Sequence, residues 1–266
     1  PVDFDAYTEA SRKFKAVLAG ISPVMESGGI DEAYLDISDI DDSSEIIAQK
    51  IKNGVMTQTG LTCSIGIAPN KLLAKIASDM QKPDGLTILR ENDVCDKIWP
   101  LPIRKLYGVG PKTETHLKEL KIETIGQLSD IPSDRLVREF GNSYGSYLHD
   151  ASRGIDQSPL ITHWDPKSIS RETTFQRDVR DWQTIAKTLA ALTKEVAADL
   201  AENGLKSRTV AIKIRFEDFQ TLTRARTLTE PTDIEEEIRR AVFECLRRVS
   251  LEKRVRLLGV RVTNFT

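Results

Sequence analysis

Apolar residues in the first 85 positions recur alternately at helical and at strand spacing. Where they return every third or fourth residue, one face of a helix is indicated, and where they alternate, a half-buried strand is indicated. The predicted elements, in order, are a helix over 7–21, a strand over 30–38, a helix over 44–59, a strand over 61–67 and a helix over 70–82. This pattern predicts an α+β domain in which helices cover a sheet.

Polar residues at the ends of these segments support the predicted boundaries. Ser43 or Ser44 and then Asn70 precede helical patterns, and these residue types cap helix N-termini. Gly60 ends the second helix. The third helix should end near Lys82, because the following proline disfavours helical geometry in the residue before it.

The rest of the chain divides into a helical segment, a linker and a mixed segment. Residues 101–156 predict short helices separated by glycine-rich turns, and residues 157–168, with two prolines, predict a linker. Residues 169–266 predict strands at 169–179, 208–217, 220–229 and 254–264 and helices at 182–203 and 233–249. This β-α-β-β-α-β order is typical of a ferredoxin-like unit, and the whole chain is predicted to be a multidomain α+β protein.

The net charge of −2 conceals a gradient along the chain. Residues 1–100 carry 10 basic and 16 acidic side chains, residues 101–167 carry 9 of each, and residues 168–266 carry 19 basic and 15 acidic ones. An acidic first part and a basic last part suit a catalytic carboxylate region followed by a polyanion-binding region. The sequence contains no apolar run of about 18 residues, so no membrane span is predicted. The three scattered cysteines fit reduced thiols in a cytoplasmic protein.

Two adjacent carboxylates, Asp31 and Glu32, follow the pair Gly28-Gly29 at the start of the first predicted strand. Neighbouring side chains on a regular strand point to opposite faces, so both reach one site only if the backbone bends there. The glycines permit such a bend. Hard cations such as Mg²⁺ take oxygen ligands of this kind, although a solvated acidic turn would have the same sequence.

Lys82 follows the third helix and is fixed beside Pro83. A lysine at a rigid turn is a compact positive charge that can meet a triphosphate. The alternative is that its charge complements the dipole at the helix C-terminus.

The stretch Gly108-Val109-Gly110, followed by Pro111, Lys112 and Thr113, is a Gly-x-Gly turn that enters a helix. Glycines let backbone N–H groups approach a phosphate closely, and a helix N-terminus favours an anion. The apolar residues that follow complete the pattern of a helix-hairpin-helix, which binds DNA backbones without sequence preference. The alternative is an ordinary helix-entry loop.

Basic residues crowd the central hairpin of the last segment. Lys213 and Arg215 share one face of their strand, as Arg224 and Arg226 do on theirs, and the last strand adds Arg256 and Arg261. A basic sheet of this kind suits the phosphate backbone of nucleic acid. Charges that protect a solvated hairpin edge are the alternative.

Taken in order, these stretches resemble the Y-family (translesion) DNA polymerases, and most closely the DNA polymerase IV branch. The resemblance implies a partial palm at 1–100, a thumb at 101–156, a linker at 157–168 and a little finger at 169–266. It implies that Asp31 and Glu32 bind the two catalytic Mg²⁺ ions and that Lys82 contacts the triphosphate of a deoxynucleotide. It also implies that primer–template DNA is held by the thumb turn and by the basic little finger, including Arg171 in the matching string Ser170-Arg171-Glu172.

The resemblance implies low-fidelity, template-directed DNA synthesis by a cytoplasmic monomer. Residues 1–20 do not match the family's first metal-binding strand and fingers, so we expect a chain that lacks this part of the family pattern and is slow or inactive alone. A non-catalytic DNA-binding module derived from a polymerase is the alternative. Members of the branch also bind a sliding clamp through a C-terminal peptide, and no such peptide follows Asn264-Phe265-Thr266, so weak clamp binding is expected.

Overall fold

A computed structural model describes residues 2–266 and separates the chain into two compact units, Pro1–His163 and Trp164–Thr266. Each unit has its own buried core, and each is described by itself below. Within the described residues, every helix is too short or too polar to cross a membrane.

The first unit begins with small sheets covered by three helices. Its elements are α1 (Phe4–Ala19), β1 (Met25–Ser27), β2 (Ala33–Leu35), α2 (Ser44–Thr59), β3 (Ile65–Ile67), α3 (Lys71–Met80) and β4 (Leu86–Ile88). Strands β1 and β2 form an antiparallel hairpin, whereas β3 and β4 pair in parallel. The prediction placed the three helices correctly, but it missed β1 and β4 and made the other strands too long.

Side-chain caps begin the helices where the sequence predicted them. The Ser43 hydroxyl accepts a hydrogen bond from the Ile46 N–H at 3.4 Å, and the Asn70 side chain accepts one from the Leu73 N–H at 2.9 Å. Gly60 closes α2 in a left-handed conformation with φ of 71°. Helix α3 ends at Met80, two residues before the predicted end, so Lys82 lies in the turn beyond the helix.

The rest of the first unit is helical. After short 3-10 and π turns over 91–105 come α4 (Pro111–Glu119), α5 (Ile125–Ser129), α6 (Ser133–Phe140) and α7 (Asn142–Ser152). One buried apolar cluster runs from Leu72 in α3 to Ala151 in α7. The palm–thumb boundary predicted at residue 100 therefore lies inside a shared core. This core fixes α3 relative to the Gly-x-Gly turn at 108–110.

The second unit contains β5 (Ser168–Val179), α8 (Trp182–Glu202), β6 (Ser207–Phe216), β7 (Thr221–Thr232), α9 (Glu235–Leu246) and β8 (Val255–Phe265). The β-α-β-β-α-β order is as predicted. The strands form one antiparallel sheet in the order β5-β8-β6-β7, which the element order alone does not determine. Each helix therefore connects two parallel strands that are separated by an antiparallel one, the split βαβ arrangement.

Only one side of this sheet packs against the helices of the described unit. Alternate residues of β6, from Val210 to Phe216, are buried beneath α8 and α9. We call the other side the open face, and the strand register places on it Ser170, Glu172, Ala211, Lys213, Arg215, Thr223, Gly259 and Arg261.

Candidate functional site

Asp31 and Glu32 lie in the loop of the β1–β2 hairpin, not on a strand as predicted. The Gly28 and Gly29 N–H groups both donate to the Glu32 carbonyl, at 2.9 and 3.2 Å, which closes the loop. The Lys15 ammonium of α1 donates to the Gly29 carbonyl at 2.7 Å and holds the loop from outside. The side-chain alternation of a strand therefore does not apply to the two carboxylates.

Glu32 contacts α3, the helix that ends just before Lys82. Lys75 of α3, whose side chain is 18% exposed, donates to the Glu32 carboxylate. Lys82 pairs with Asp79 at 2.5 Å. The hydrogen bond that Lys82 donates to the Asp79 carboxylate raises the pKa of Lys82, and Glu32 and Asp31 raise this pKa further by their negative charge. We call Asp31, Glu32, Lys75, Asp79 and Lys82 the acidic–lysine cluster.

Lys52 of α2 holds the turn that carries Lys82, and the sequence analysis did not identify it. Its largely buried ammonium donates to the Asp84 carbonyl at 2.7 Å and to the Cys63 carbonyl at 2.9 Å, and it also pairs with the Asp84 carboxylate. These partners are distant in the sequence, so no local pattern could have indicated the role of Lys52.

The donor set of the cluster fits a magnesium ion that arrives with its substrate. Among residues 2–266, no three side chains of the metal-binding types come together as an ion cage. Mg²⁺ in proteins, however, is often held by one or two carboxylates together with substrate phosphates. Asp31 and Glu32 supply two such carboxylates, and the lysines beside them would neutralise the phosphates.

A groove of about 570 Å³ leads from this cluster to the Gly-x-Gly turn. It is lined by Lys75 and Asp79, by Arg104 and Lys105, and by residues 106–110. Several cations along a groove attract a polyanion, because they raise its local concentration.

Two tyrosines of α7 fix the backbone of the Gly-x-Gly turn. The Tyr144 hydroxyl donates to the Gly108 carbonyl at 2.9 Å, and the Tyr147 hydroxyl donates to the Tyr107 carbonyl at 2.5 Å. Gly108 has φ of 85°, and a Cβ there would lie 3.0 Å from the Tyr147 ring, so both conformation and space require glycine. The aromatic rings thus occupy the carbonyl side of the turn.

The helix that follows the turn begins with free amides. Helical hydrogen bonding in α4 begins with the Glu114 N–H, which donates to the Gly110 carbonyl at 2.9 Å. Among the described residues, the N–H groups of Gly110, Lys112 and Thr113 have no backbone acceptor. Free amides at a helix N-terminus can bind an anion, and contact of these three residues with DNA phosphate stays a prediction.

Val109 does not fit its predicted role in DNA contact. Its side chain is 1% exposed and belongs to the core of the first unit. Its N–H donates to the Leu106 carbonyl at 3.1 Å, and its own carbonyl accepts from Arg104. Because each of its polar groups is already used, Val109 supports the turn from inside.

The basic residues of the second unit separate into two groups. Lys213, Arg215 and Arg261 lie on the open face, where Arg261 is opposite Ala211 in the strand register. Arg224 is opposite Ile212 and Arg226 opposite Val210, so both point to the side that the helices cover. The sequence correctly predicted which residues share a face within each strand, but it could not show that the two strands present their charges to opposite faces.

Three of the arginines predicted to contact DNA are already engaged in ion pairs within the second unit. Arg171 forms a two-point pair with Asp199 of α8, at 2.7 and 2.8 Å. Arg226 pairs with Glu244 of α9. Arg256 lies 3.4 Å from Asp178 and 4.7 Å from the centre of the Phe219 ring. These arginines join elements of the unit, whereas Arg261 has no acidic partner among the described residues.

Comparisons with known proteins cover the whole chain. The impB/mucB/samB family matches residues 1–79, the thumb domain of DNA polymerase-iota matches 104–156, and the impB/mucB/samB family C-terminal domain matches 166–266. A DNA polymerase IV of Methanoculleus marisnigri is 42% identical over 99% of this chain and 73% of its own length. The chain belongs to the Y-family DNA polymerases.

Other relatives agree with this family. A DNA polymerase IV of Moorella thermoacetica is 41% identical over 98% of this chain, which spans 66% of that relative's length. A solved Y-family DNA polymerase chimera superposes with a TM-score of 0.86 at 25% identity, covering 99% of this chain and 77% of the chimera. Because the family match starts at residue 1, it does not support the prediction that the chain lacks the N-terminal palm and fingers.

Replacing Gly110 with Ala should weaken DNA binding with little loss of stability. The added Cβ would meet no atom within 4 Å, and the φ of −84° suits alanine, so the cost at this N-cap should be about 1 kcal/mol or less. It would stand in front of the free amides, and losing one hydrogen bond to a charged group amounts to about tenfold in affinity. Fluorescence anisotropy with labelled primer–template measures this effect. Gly20→Ala at the end of α1 is the matched control, and equal affinities of the two variants would contradict the prediction.

Proposed function

We propose that the chain carries out template-directed DNA synthesis as a low-fidelity translesion polymerase. It would add deoxynucleotides to the 3′-hydroxyl of a primer by two-metal phosphoryl transfer. The proposal is supported by the acidic–lysine cluster of this Y-family member, in which Glu32 contacts Lys75 and the charges of Asp31 and Glu32 act on Lys82. The groove from this cluster to the Gly-x-Gly turn supports the same function.

Each residue of the cluster would have a separate role at the bound nucleotide. Asp31 and Glu32 would hold Mg²⁺, which when bound neutralises phosphate charge and activates the attacking hydroxyl. Glu32 would exchange its contact with Lys75 for this role, leaving the Lys75 ammonium beside the phosphates. Lys82 would likewise leave Asp79 and contact the triphosphate. A second ion would need ligands beyond this carboxylate pair, including oxygens of the substrates.

Primer–template DNA would contact both units through its sugar–phosphate backbone. The amides of Gly110, Lys112 and Thr113 would bind phosphates at the Gly-x-Gly turn. Lys213, Arg215 and Arg261 would bind phosphates on the open face. Backbone contacts of this type carry no sequence information, which suits an enzyme that must copy any template.

Primer extension by the 266-residue chain tests the proposal directly. We expect Mg²⁺-dependent incorporation of the templated nucleotide on an intact template, and continued incorporation opposite a template base that lacks its Watson–Crick edge. Failure to extend a primer that the chain has bound, with Mg²⁺ and all four deoxynucleotides present, would contradict the catalytic proposal.

A second candidate is DNA binding without catalysis. It is favoured by the absence of a group of three metal-binding side chains among residues 2–266. The two candidates differ in nucleotide binding as well as in extension. A Mg²⁺-dependent gain in affinity for a matched deoxynucleoside triphosphate, measured on a primer–template with a terminated primer, supports the polymerase and opposes the binding module.

The monomeric state, the cytoplasmic location and the sliding-clamp contact remain predictions from the family. They concern surfaces and segments outside the acidic–lysine cluster. The proposed catalytic roles do not depend on them.

Removing open-face charges should weaken DNA binding more than removing charges on the helix-covered side. Lys213→Gln and Arg261→Gln should each flatten the slope of log affinity against log salt by about 0.9, the value for one phosphate contact in B-DNA. Arg226→Gln is the matched control, because this arginine pairs with Glu244 and belongs to the covered side. Anisotropy titrations across a series of salt concentrations measure the slopes. A larger effect of Arg226→Gln would show that the covered edge holds the DNA.

A further inference from the structure

One acidic side chain stands among the basic groups of the open face. Glu172 of β5 accepts a hydrogen bond from the Lys213 ammonium of β6 at 2.8 Å. Strands β5 and β6 are not neighbours, because β8 lies between them. The ion pair therefore spans a strand of the sheet.

Gly259 of β8 makes this contact possible. It is opposite both Glu172 and Lys213 in the strand register. A Cβ at position 259 would lie 3.1 Å from the Glu172 Cβ and 3.5 Å from the Lys213 Cβ, so a side chain there would separate the pair. Because Gly259 has no side chain, the Lys213 side chain can lie across β8 and reach Glu172.

The pair lies in a hollow of about 330 Å³ on the open face. Small residues such as Ser170, Ala211 and Gly259 line it, together with Arg261. Of the described residues that line the hollow, Glu172 is the one with a negative charge. A negative group inside an otherwise basic hollow opposes the binding of a polyanion.

We propose that Glu172 competes with DNA phosphate for Lys213 and thereby limits how long the open face stays on DNA. The proposal rests on the proposed function, in which this face contacts the DNA backbone. The side chains of Glu172 and Lys213 are 48% and 36% exposed, and an exposed ion pair contributes little stability. A phosphate can therefore displace Glu172, but the carboxylate remains beside it and repels it.

The competition acts on binding strength and on the rate of release. A like-charge contact at about 4 Å in water amounts to about fivefold in affinity at low salt. Most affinity differences among variants of one interface appear in the dissociation rate. Glu172 thus favours release of the template after few additions, a property that suits a low-fidelity polymerase.

Glu172→Gln tests the proposal because it removes the charge and preserves the shape. We expect the affinity of the 266-residue chain for a labelled primer–template to rise about fivefold at low salt. Lys213 already counts as one phosphate contact in the unchanged chain, so the salt slope should change by less than about 0.9, the value for one whole contact. Glu202→Gln, an exposed change of equal charge at the end of α8, is the matched control and should change affinity less than twofold.

The double variant Glu172→Gln/Lys213→Gln separates this mechanism from a general charge effect. If Glu172 acts through Lys213, most of the gain should disappear in the double variant. A gain that persists in full would overturn the assigned mechanism. Unchanged or lower affinity of Glu172→Gln would overturn it as well, provided that Lys213→Gln weakens binding. If neither single variant alters binding, the open face does not hold DNA, and that part of the proposed function fails first.

Discussion

Replacing Asp31 with Asn should lower the rate of primer extension by about three orders of magnitude. A carboxylate ligand to a catalytic metal contributes several kcal/mol of charge stabilisation, and about 1.4 kcal/mol corresponds to tenfold in rate. The side chain is exposed in the β1–β2 loop, which Lys15 and the Gly28 and Gly29 amides hold closed, so the fold should persist. Single-turnover extension at saturating nucleotide measures the effect on chemistry.

The matched control for this variant is Asp39→Asn. Asp39 is also exposed, carries the same charge and follows the same hairpin, but it lies outside the acidic–lysine cluster. Both variants should bind primer–template with equal affinity, since neither carboxylate is placed on the DNA surface. Equal extension rates of the two variants would show that Asp31 is not a metal ligand.

Glu32→Gln tests the second carboxylate of the pair. An amide oxygen can still accept the hydrogen bond from Lys75, so this variant retains the packing of α3 against the loop. It loses the charge that a divalent cation requires. We therefore expect a loss of activity similar to that of Asp31→Asn, with no change in thermal stability.

Features that depend on neighbouring residues could be predicted from the sequence. The caps at Ser43 and Asn70 and the end of α2 at Gly60 were placed correctly, because each depends on a residue within one helical turn. The β-α-β-β-α-β order of the second unit was also correct, because its strands have ten to twelve residues and show clear periodicity.

Features that depend on pairing between distant segments could not be predicted. Strands β1 and β4 have three residues each, too few for a period to be recognised. The placement of Arg224 and Arg226 depends on the register of β7 against β6, and a shift of one residue reverses the face of every side chain. The sheet order that brings Glu172 to Lys213 over Gly259 depends on β8, which arrives last in the chain.

The candidate site shows the same division. Its motif residues Asp31, Glu32 and Lys82 could be proposed from local sequence together with the family resemblance, whereas their geometry depends on long-range support. Lys52 reaches a carbonyl 32 residues away, and Lys75 reaches a carboxylate 43 residues away. Lysines are so common on protein surfaces that neither could be separated from solvated lysines without the fold.

Replacing Gly66 with Ala should destabilise the first unit by about 3 kcal/mol, the upper range for inserting one methyl group into a packed interior. Gly66 is the central residue of β3, where α3 crosses it. A Cβ there would lie 2.2 Å from the Ala74 carbonyl oxygen, 2.3 Å from the Ser78 nitrogen and 2.8 Å from the Ala77 Cβ. Two of these three atoms belong to the helix backbone, so no side-chain rotation can relieve the contact and α3 must move.

The movement of α3 should reach the acidic–lysine cluster, because this helix carries Lys75 and ends just before Lys82. We expect faster hydrogen exchange at the α3 amides, a lower melting temperature of the first unit and weaker nucleotide binding. Exchange in the second unit should be unchanged. Gly110→Ala adds the same methyl group to open space and is the matched control, with a cost of about 1 kcal/mol or less. Exchange rates in α3 equal to those of the unchanged chain would mean that β3 and α3 do not pack as closely as described.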